Sequence, residues 1–129
     1  MTIATFCLFL ACLAPILCTG GAKMVGSLRG PSGPLDNRNP RAWLAQQTGV
    51  AARLNAAQQN SWEALAIFAP AVLSAQAMAA PQGRVDLLAM VFIAARVAYV
   101  ALYAANTASL RTLAWVVGFG ASLALFFAR

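Results

Sequence analysis

The feature that most restricts the fold of this chain is the near absence of charge along most of its length. No Asp, Glu, Lys or Arg occurs in residues 1–22 or 64–80, and only 9% of all residues are charged, against about 25% in soluble domains. Since about 20 apolar residues cross a bilayer, 129 residues leave room for four or five spans and no sizeable soluble domain. The sequence therefore predicts an all-α integral membrane protein with one domain, residues 1–129.

Breaks in the apolar pattern divide the chain into four predicted transmembrane helices, at about residues 1–22, 43–80, 85–105 and 109–128. Glycines, prolines and basic side chains fill residues 23–41, which predicts a surface loop. Pro70 is expected to kink the second helix. Links of a few residues join the later helices, so these helices are predicted to be antiparallel neighbours. Small residues at four-residue spacing predict that another helix packs closely on the last one: Ala114, Gly118 and Ser122.

A cleaved signal peptide is the alternative interpretation of residues 1–22. A signal peptide begins with a basic region, but the first basic residue is Lys23, and the apolar run is longer than an ordinary signal core. The sequence therefore favours a retained first helix.

The basic residues also predict an orientation. Four of them lie in the first loop and Arg111 flanks the third, whereas the second loop has only Arg84, partly offset by Asp86. The positive-inside rule therefore predicts that the first and third loops face the cytoplasm and that both termini lie outside it.

Two other classes of partner do not fit the composition. The net charge is +6, but the nine basic residues are scattered and form no run that follows a phosphate backbone, so we expect no nucleic-acid partner. The chain has no His, and Cys7, Cys12 and Cys18 all lie in the first apolar segment. We therefore expect neither a metal site nor a disulfide framework, and interpret the cysteines as small buried residues.

The most unusual polar segment is residues 53–63, where Arg53, Asn60 and Glu63 lead directly into the charge-free residues 64–80. At about 100° per residue, these three side chains fall within an arc of about 80° and along about 15 Å of a helix. A carboxylate at the mouth of a membrane helix is costly unless it is paired. The pattern therefore predicts that the rest of the protein supplies partners for a polar stripe on the second helix.

A second polar group lies on the third predicted helix, where Arg96, Tyr99 and Tyr103 share an arc of about 60°. Arg96 lies deep in an apolar segment, so it must face protein or a water-filled cavity, and Glu63 is the only acid at a similar depth. One interpretation is a structural ion pair between Arg96 and Glu63.

The other interpretation is an anion-binding site. Arg53, Arg96 and Arg111 outnumber Glu63, and surplus cations in a low-dielectric cleft favour an anionic ligand. Asn60 and the two tyrosine hydroxyls would add neutral hydrogen bonds to such a ligand.

Together these residues resemble the MAPEG family, the membrane-associated proteins of eicosanoid and glutathione metabolism, in a bacterial-type member. The similarity covers about residues 36–115 and rests on the Asn-x-x-Glu that ends at Glu63 and on the Arg-x-x-Tyr-x-x-x-Tyr that begins at Arg96. It implies a homotrimer of four-helix bundles in a bacterial inner membrane. Glutathione would bind between protomers, near the cytoplasmic ends of the helices.

The resemblance also implies a role for each residue. The residues that would bind glutathione as a co-substrate are Arg53, Asn60, Glu63, Arg96, Tyr99 and Tyr103. Arg111 corresponds, within one residue, to the arginine with which catalytic members hold the glutathione thiolate. The implied activity is glutathione transfer to hydrophobic small molecules in the bilayer, or peroxide reduction.

The sequence departs from the family pattern at Ala56, where glutathione-using members carry a second arginine. Loss of one cationic partner of a carboxylate weakens ligand binding by about 1.5 to 3 kcal/mol.

Two alternatives to a glutathione-dependent enzyme are a small four-helix transporter and a non-catalytic membrane scaffold. A transporter of cations needs its acid in a neutral pocket, whereas Glu63 lies among arginines; a scaffold binds no small anion.

Overall fold

The computed structural model of the protein describes residues 1–129 and contains only helices and the turns between them. The helices are α1 (Ile3–Arg29), α2 (Pro40–Ala45), α3 (Gly49–Ala77), α4 (Gln82–Ala104) and α5 (Ala108–Phe126). α2 has only six residues, and the four long helices pack side by side. The predicted all-α class is therefore confirmed.

Three helices, α1, α4 and α5, are long and apolar enough to cross a membrane by length and composition. α3 is the longest helix, with 29 residues, or about 43 Å at 1.5 Å per residue, but it is not among them. Its N-terminal half contains the polar residues of segment 53–63. The protein thus has three clear membrane-spanning helices and a fourth long helix that is polar over half its length.

α1 packs against α3 and α4 through a stripe of small residues. The buried residues of this stripe recur every three or four positions: Ala4, Cys7, Ala11, Pro15, Cys18, Ala22 and Gly26. Phe68 of α3 and Phe92 of α4 stack at the core beside the stripe, with ring centroids 3.7 Å apart. Cys7 and Cys18 are buried as predicted, whereas Cys12 is exposed because it lies outside the stripe.

Two helix boundaries differ from the prediction. α1 continues to Arg29 instead of ending near residue 22, so the first loop covers residues 30–39. The predicted helix 43–80 is interrupted at residues 46–48, between α2 and α3, and α3 begins with Gly49 at φ 60°. A positive φ favours glycine, because most side chains are strained there.

Glycine has a packing role at the end of α1. A Cβ on Gly26 would lie 2.7 Å from Cη2 of Trp43, and a Cβ on Gly30 would collide with the Gln47 side chain. Trp43 and Gln47 are both buried. Glycine inside a helix costs about 1 kcal/mol relative to alanine, and the close packing of α2 on α1 offsets that cost. Gly26 therefore lies within α1 instead of breaking it.

α4 and α5 are joined by a tight turn in which Asn106 adopts φ 60°, a left-handed conformation that asparagine tolerates. Beyond the turn, the predicted small residues of α5 are buried. A Cβ on Gly118 would lie 3.4 Å from the Cβ of Ala95 on α4. The helix that approaches this stripe closely is therefore a neighbour in the same chain.

Contacts between distant segments show which helix ends lie together. At one end of the bundle, the Asp86 Oδ1 accepts a hydrogen bond from the Ala4 backbone N–H at 2.8 Å, which satisfies one of the free donors in the first turn of α1. Arg84 donates to the backbone oxygen of Arg129 at the same end. The opposite end contains residues 30–48 and the α4–α5 turn, and is called the loop end below.

Candidate functional site

Arg96 is the centre of the predicted site and is 6% exposed. Its Nη1 donates to Oδ1 of Asn60 at 2.9 Å, and its Nη2 donates to Oγ of Ser61 at 3.1 Å. Its Cζ lies 4.2 Å from the centre of the Tyr99 ring, a distance typical of a cation–π contact. The buried guanidinium is thus in direct contact with neutral groups alone, and no carboxylate forms a salt bridge with it.

The ion pair between Arg96 and Glu63, one of the two interpretations of the sequence, does not form. The only salt bridge in the structure joins Arg38 to Asp36 in the first loop. Asn60 lies between the two predicted partners: its Oδ1 accepts from Arg96, while its Nδ2 donates to Oε2 of Glu63 at 3.3 Å. The side chains separate because Arg96 points into the core, whereas Glu63 is exposed on the surface of α3.

Tyr99 and Tyr103 extend the site toward the loop end. Their rings meet edge to face, with centroids 5.7 Å apart, and Cζ of Arg111 lies 4.2 Å from the centre of the Tyr103 ring. Successive contacts thus connect four side chains, with an arginine at each end and the two tyrosine rings between them: Arg96, Tyr99, Tyr103 and Arg111. Arg111 stacks on Tyr103 without a hydrogen bond to a protein acceptor, so its N–H groups can donate to a ligand.

Arg53 lies on the same side of α3 as Asn60, seven residues earlier and therefore about 10 Å closer to the loop end. Its Nε donates to the backbone oxygen of Ala104 at 3.1 Å. Carbonyl groups in the last turn of a helix lack an intrahelical partner, so Arg53 caps α4. The remaining N–H groups of Arg53 lie beside the end of α4 that carries Tyr103.

Two cavities adjoin Arg96. The apolar cavity, about 430 Å³, lies between α1, α3 and α4, and eleven of its thirteen lining residues are hydrophobic. The polar cavity, about 120 Å³, lies between α3, α4 and α5, and its lining includes Asn60 and Glu63. Arg96 and Phe92 line both cavities and therefore form the wall between them.

Two residues at this place were not predicted from the sequence. Ser61 accepts from Arg96 and donates to the backbone oxygen of Ala57 at 2.8 Å. Its signal in the sequence is a serine directly after Asn60, about 100° around the helix, and the two side chains accept from different nitrogens of the same guanidinium. Cys18 lines the apolar cavity together with Ser61 and Arg96. Nothing in the sequence of α1 distinguishes it from the other cysteines, because only the packing of three helices creates the cavity.

A helical bundle with three clear spans and a buried cluster of arginine, amide and tyrosine side chains defines an integral membrane protein with an internal polar site. Comparison with protein families matches the MAPEG family over residues 3–128, and the chain belongs to this family. It is therefore a membrane protein of the glutathione and eicosanoid metabolism family, as the sequence motifs predicted. Neither a curated protein nor a solved structure gave a significant match.

Proposed function

We propose that the protein is a membrane-embedded glutathione-dependent enzyme that transfers glutathione to hydrophobic electrophiles or uses it to reduce hydrophobic peroxides. In both reactions the glutathione thiolate is the nucleophile, which attacks an electrophilic carbon or a peroxide oxygen. Family membership supports the use of glutathione, and the membrane-spanning helices support a second substrate that is dissolved in the bilayer.

The observation that carries this proposal is the buried positive charge of Arg96, which no carboxylate contacts directly. Its guanidinium is buried and has no carboxylate partner, and Arg53 and Arg111 add two further cations toward the loop end. Glutathione has more carboxylate than ammonium groups, so its carboxylates would form charge-assisted hydrogen bonds with these arginines. Glu63, whose only protein hydrogen bond comes from Asn60, would accept from the ammonium group.

Arg111 is the proposed catalytic residue. Its guanidinium is fixed against the Tyr103 ring, which leaves its N–H edges available to the sulfur of a bound thiol. A thiol has a pKa of about 8.5 in water, and a neighbouring cation lowers that pKa. A larger fraction of bound glutathione would then be thiolate at neutral pH.

Isothermal titration of the detergent-solubilised protein with glutathione tests the proposal. We expect saturable binding with a Kd of about 1 mM or below, in the usual range of substrate affinities. Ala56 makes this affinity weaker than that of a site with a second arginine. Absence of binding up to about ten times that concentration supports the scaffold, and saturable binding of an organic cation instead supports the transporter.

We also propose that the protein is a homotrimer. The carboxylate of Glu63 is exposed on the outside of one protomer, and an exposed carboxylate on a membrane helix is costly unless a partner covers it. The neighbouring Trp62 is also 47% exposed. A second copy of the chain packed on this face of α3 would remove both groups from lipid, and closed rotational symmetry repeats the contact without leaving an open surface.

Chemical cross-linking in mild detergent measures this assembly. We expect a ladder that ends at the trimer, and we expect Glu63→Arg to shift the population toward monomer because a longer side chain of opposite charge then lies on the face that the second copy covers. Lys23→Glu, a charge change on α1 of the same magnitude, is the matched control and should leave the trimer intact. A ladder that ends at the dimer would contradict the proposal.

We further propose that α3 is the fourth span, with the loop end in the cytoplasm of a bacterial cell and both termini outside it. The four basic residues of the segment 23–41 support this orientation through the positive-inside rule. A reporter that is active only outside the cytoplasm should therefore work when it is fused after Arg129 and fail when it is inserted near Gly33. The reverse pattern would put the arginines of the site on the side away from cytoplasmic glutathione.

A further inference from the structure

The apolar cavity between α1, α3 and α4 opens toward the bilayer. Leu17 of α1 and Val97 of α4 line it and are 69% and 66% exposed. Both helices are long and apolar enough to cross a membrane, so this opening faces lipid tails and not water. The volume of the cavity, about 430 Å³, falls within the range of about 300 to 1,000 Å³ for ligand pockets. A molecule in the bilayer therefore reaches the cavity without passing the loop end.

The cavity spans one half of the membrane. Its lining on α4 extends from Phe92 to Ala101, which is about 14 Å at about 1.5 Å per residue. Phe92 lies near the midpoint of α4, where its ring stacks on Phe68 and closes this end of the cavity. The hydrocarbon core of a bilayer is about 30 Å thick, so one leaflet contributes about 15 Å. The cavity thus covers the depth that the acyl chains of the loop-end leaflet occupy.

The length of the cavity also fits an ordinary acyl chain. A carbon–carbon bond of about 1.5 Å advances an extended chain by about 1.3 Å, so about ten carbons fill the lined part of α4. α4 continues beyond Ala101 to Ala104, which adds about 4.5 Å. A chain of about 14 to 16 carbons therefore reaches from the end of α4 to Phe92.

The loop end carries charge that attracts an anionic headgroup. Segment 23–41 contains four basic residues and one acid, Asp36, which pairs with Arg38. Arg29 and Arg41 are exposed and form no salt bridge. Basic residues next to membrane-spanning helices attract anionic lipids. The charge at this end of the bundle is therefore complementary to an anionic phospholipid whose chain enters the cavity.

We propose that the apolar cavity binds one acyl chain of an anionic phospholipid from the loop-end leaflet, and that the basic residues of segment 23–41 attract its headgroup. The chain lies lengthwise between α1 and α4, with its terminal methyl group at Phe92. Neither a covalent step nor glutathione is involved, so the proposal is independent of the function proposed above.

Four positions near the middle of the membrane distinguish a chain in the cavity from the surrounding lipid. Ala11 and Phe92 line the cavity but are only 5% and 2% exposed, so lipid on the outer surface does not reach them. Met90 is 44% exposed and lines neither described cavity, so it reports on the outer lipid. Ala89 is 0% exposed and also lines neither cavity, so it gives the background of the buried core.

The experiment places the full-length protein, without glutathione, in lipid nanodiscs that contain a photoreactive phosphatidylglycerol. The probe carries a diazirine at the terminal carbon of a palmitoyl chain, and peptide mass spectrometry locates the adducts after irradiation. We expect Ala11 and Phe92 to be labelled at least about tenfold more than Ala89, because the carbene reacts with groups that it contacts. A probe with the diazirine at the fourth carbon should move the label to Val100 and Ala101.

Label on Met90 with Ala11 and Phe92 at the Ala89 background would overturn the proposal. That result is expected if a side chain of a second copy of the protein fills the cavity. Because glutathione takes no part in the measurement, the result leaves the proposed enzymatic function unaffected.

Variants at the opening test whether the chain enters there. Val97→Trp narrows the opening from an exposed position and should lower labelling of Phe92 about tenfold, while Met90 stays labelled. Ala94 is exposed on α4 and lines neither cavity, so Ala94→Trp is the matched control and should stay within about twofold. Ala14→Phe, which places a ring halfway along the cavity wall, is the second test. Unchanged labelling of Phe92 in both Val97→Trp and Ala14→Phe overturns the proposal.

The headgroup preference is measured with the same diazirine on phosphatidylcholine. We expect phosphatidylglycerol to label Ala11 at least about fivefold more at equal mole fraction, because each basic residue near the surface attracts an anionic lipid by about that factor. The double variant Arg29→Gln with Arg41→Gln should reduce this preference, whereas Arg84→Gln, at the opposite end of the bundle, should not. Equal labelling by the two lipids in the unmodified protein overturns the assignment of an anionic phospholipid.

Discussion

Arg111→Ala is expected to lower turnover with glutathione about 100-fold at neutral pH, the loss that follows removal of one group that stabilises a developing anion. The structural reason is that Arg111 is held by stacking on Tyr103 and has no hydrogen-bond acceptor in the protein. Without this cation the pKa of the bound thiol rises toward its value in water, about 8.5. Less thiolate is then present at pH 7, and raising the pH should restore part of the lost rate.

A matched set of measurements separates this catalytic role from binding. A glutathione analogue with alanine in place of cysteine should bind the Arg111→Ala variant and the unmodified protein with nearly equal affinity, because the variant loses only the contact to sulfur. Arg84→Ala, at the opposite end of the bundle, should leave turnover unchanged. A variant with full turnover and an unshifted thiol pKa would show that Arg111 serves only as a basic residue that anchors α5 at the membrane surface.

Arg96→Leu should have the largest effect on binding. Truncation of one partner of a buried charged interaction costs about 2 to 5 kcal/mol, which corresponds to a rise in the Kd for glutathione of about 30-fold or more. The cause is that Arg96 is the only buried arginine and is positioned by Asn60 and Ser61. Isothermal titration measures the change, with Arg84→Ala again as the control.

Arg96→Lys provides the second measurement if the leucine variant does not fold. A lysine ammonium keeps the charge but lacks the planar fork that contacts Asn60 and Ser61 at once. We expect an affinity between those of Arg96→Leu and the unmodified protein. Unchanged affinity in a folded Arg96→Leu variant would show that the ligand does not bind at this guanidinium.

Periodicity predicted the faces of the helices correctly but did not predict the contacts between them. The arc shared by Arg96, Tyr99 and Tyr103 follows from 3.6 residues per turn, and the observed ring contact of the tyrosines agrees with it. The ion pair of Arg96 with Glu63 failed because it depends on the rotation of α3 relative to α4. That rotation turns Asn60 toward Arg96 and leaves Glu63 on the surface.

The extent of α1 was mispredicted for a related reason. Gly26 is a helix-breaking residue by local propensity, but Trp43 and Gln47 come from another segment and pack on the space that it leaves, and α1 ends only at Gly30. Tertiary packing therefore overrides propensity at this point. The apolar cavity was unpredictable in the same way, since it is a gap between three helices and each contributes an ordinary apolar face.

The position of Arg96 in the wall between two cavities has a thermodynamic consequence. Its guanidinium has five N–H donors, and Asn60 and Ser61 occupy two of its nitrogens. Any ligand in one cavity that draws the guanidinium toward itself changes the free energy of a ligand in the other. By linkage the effect is reciprocal: each ligand alters the affinity of the other by the same factor. Titrating one ligand at fixed concentrations of the other would give that factor as a ratio of dissociation constants.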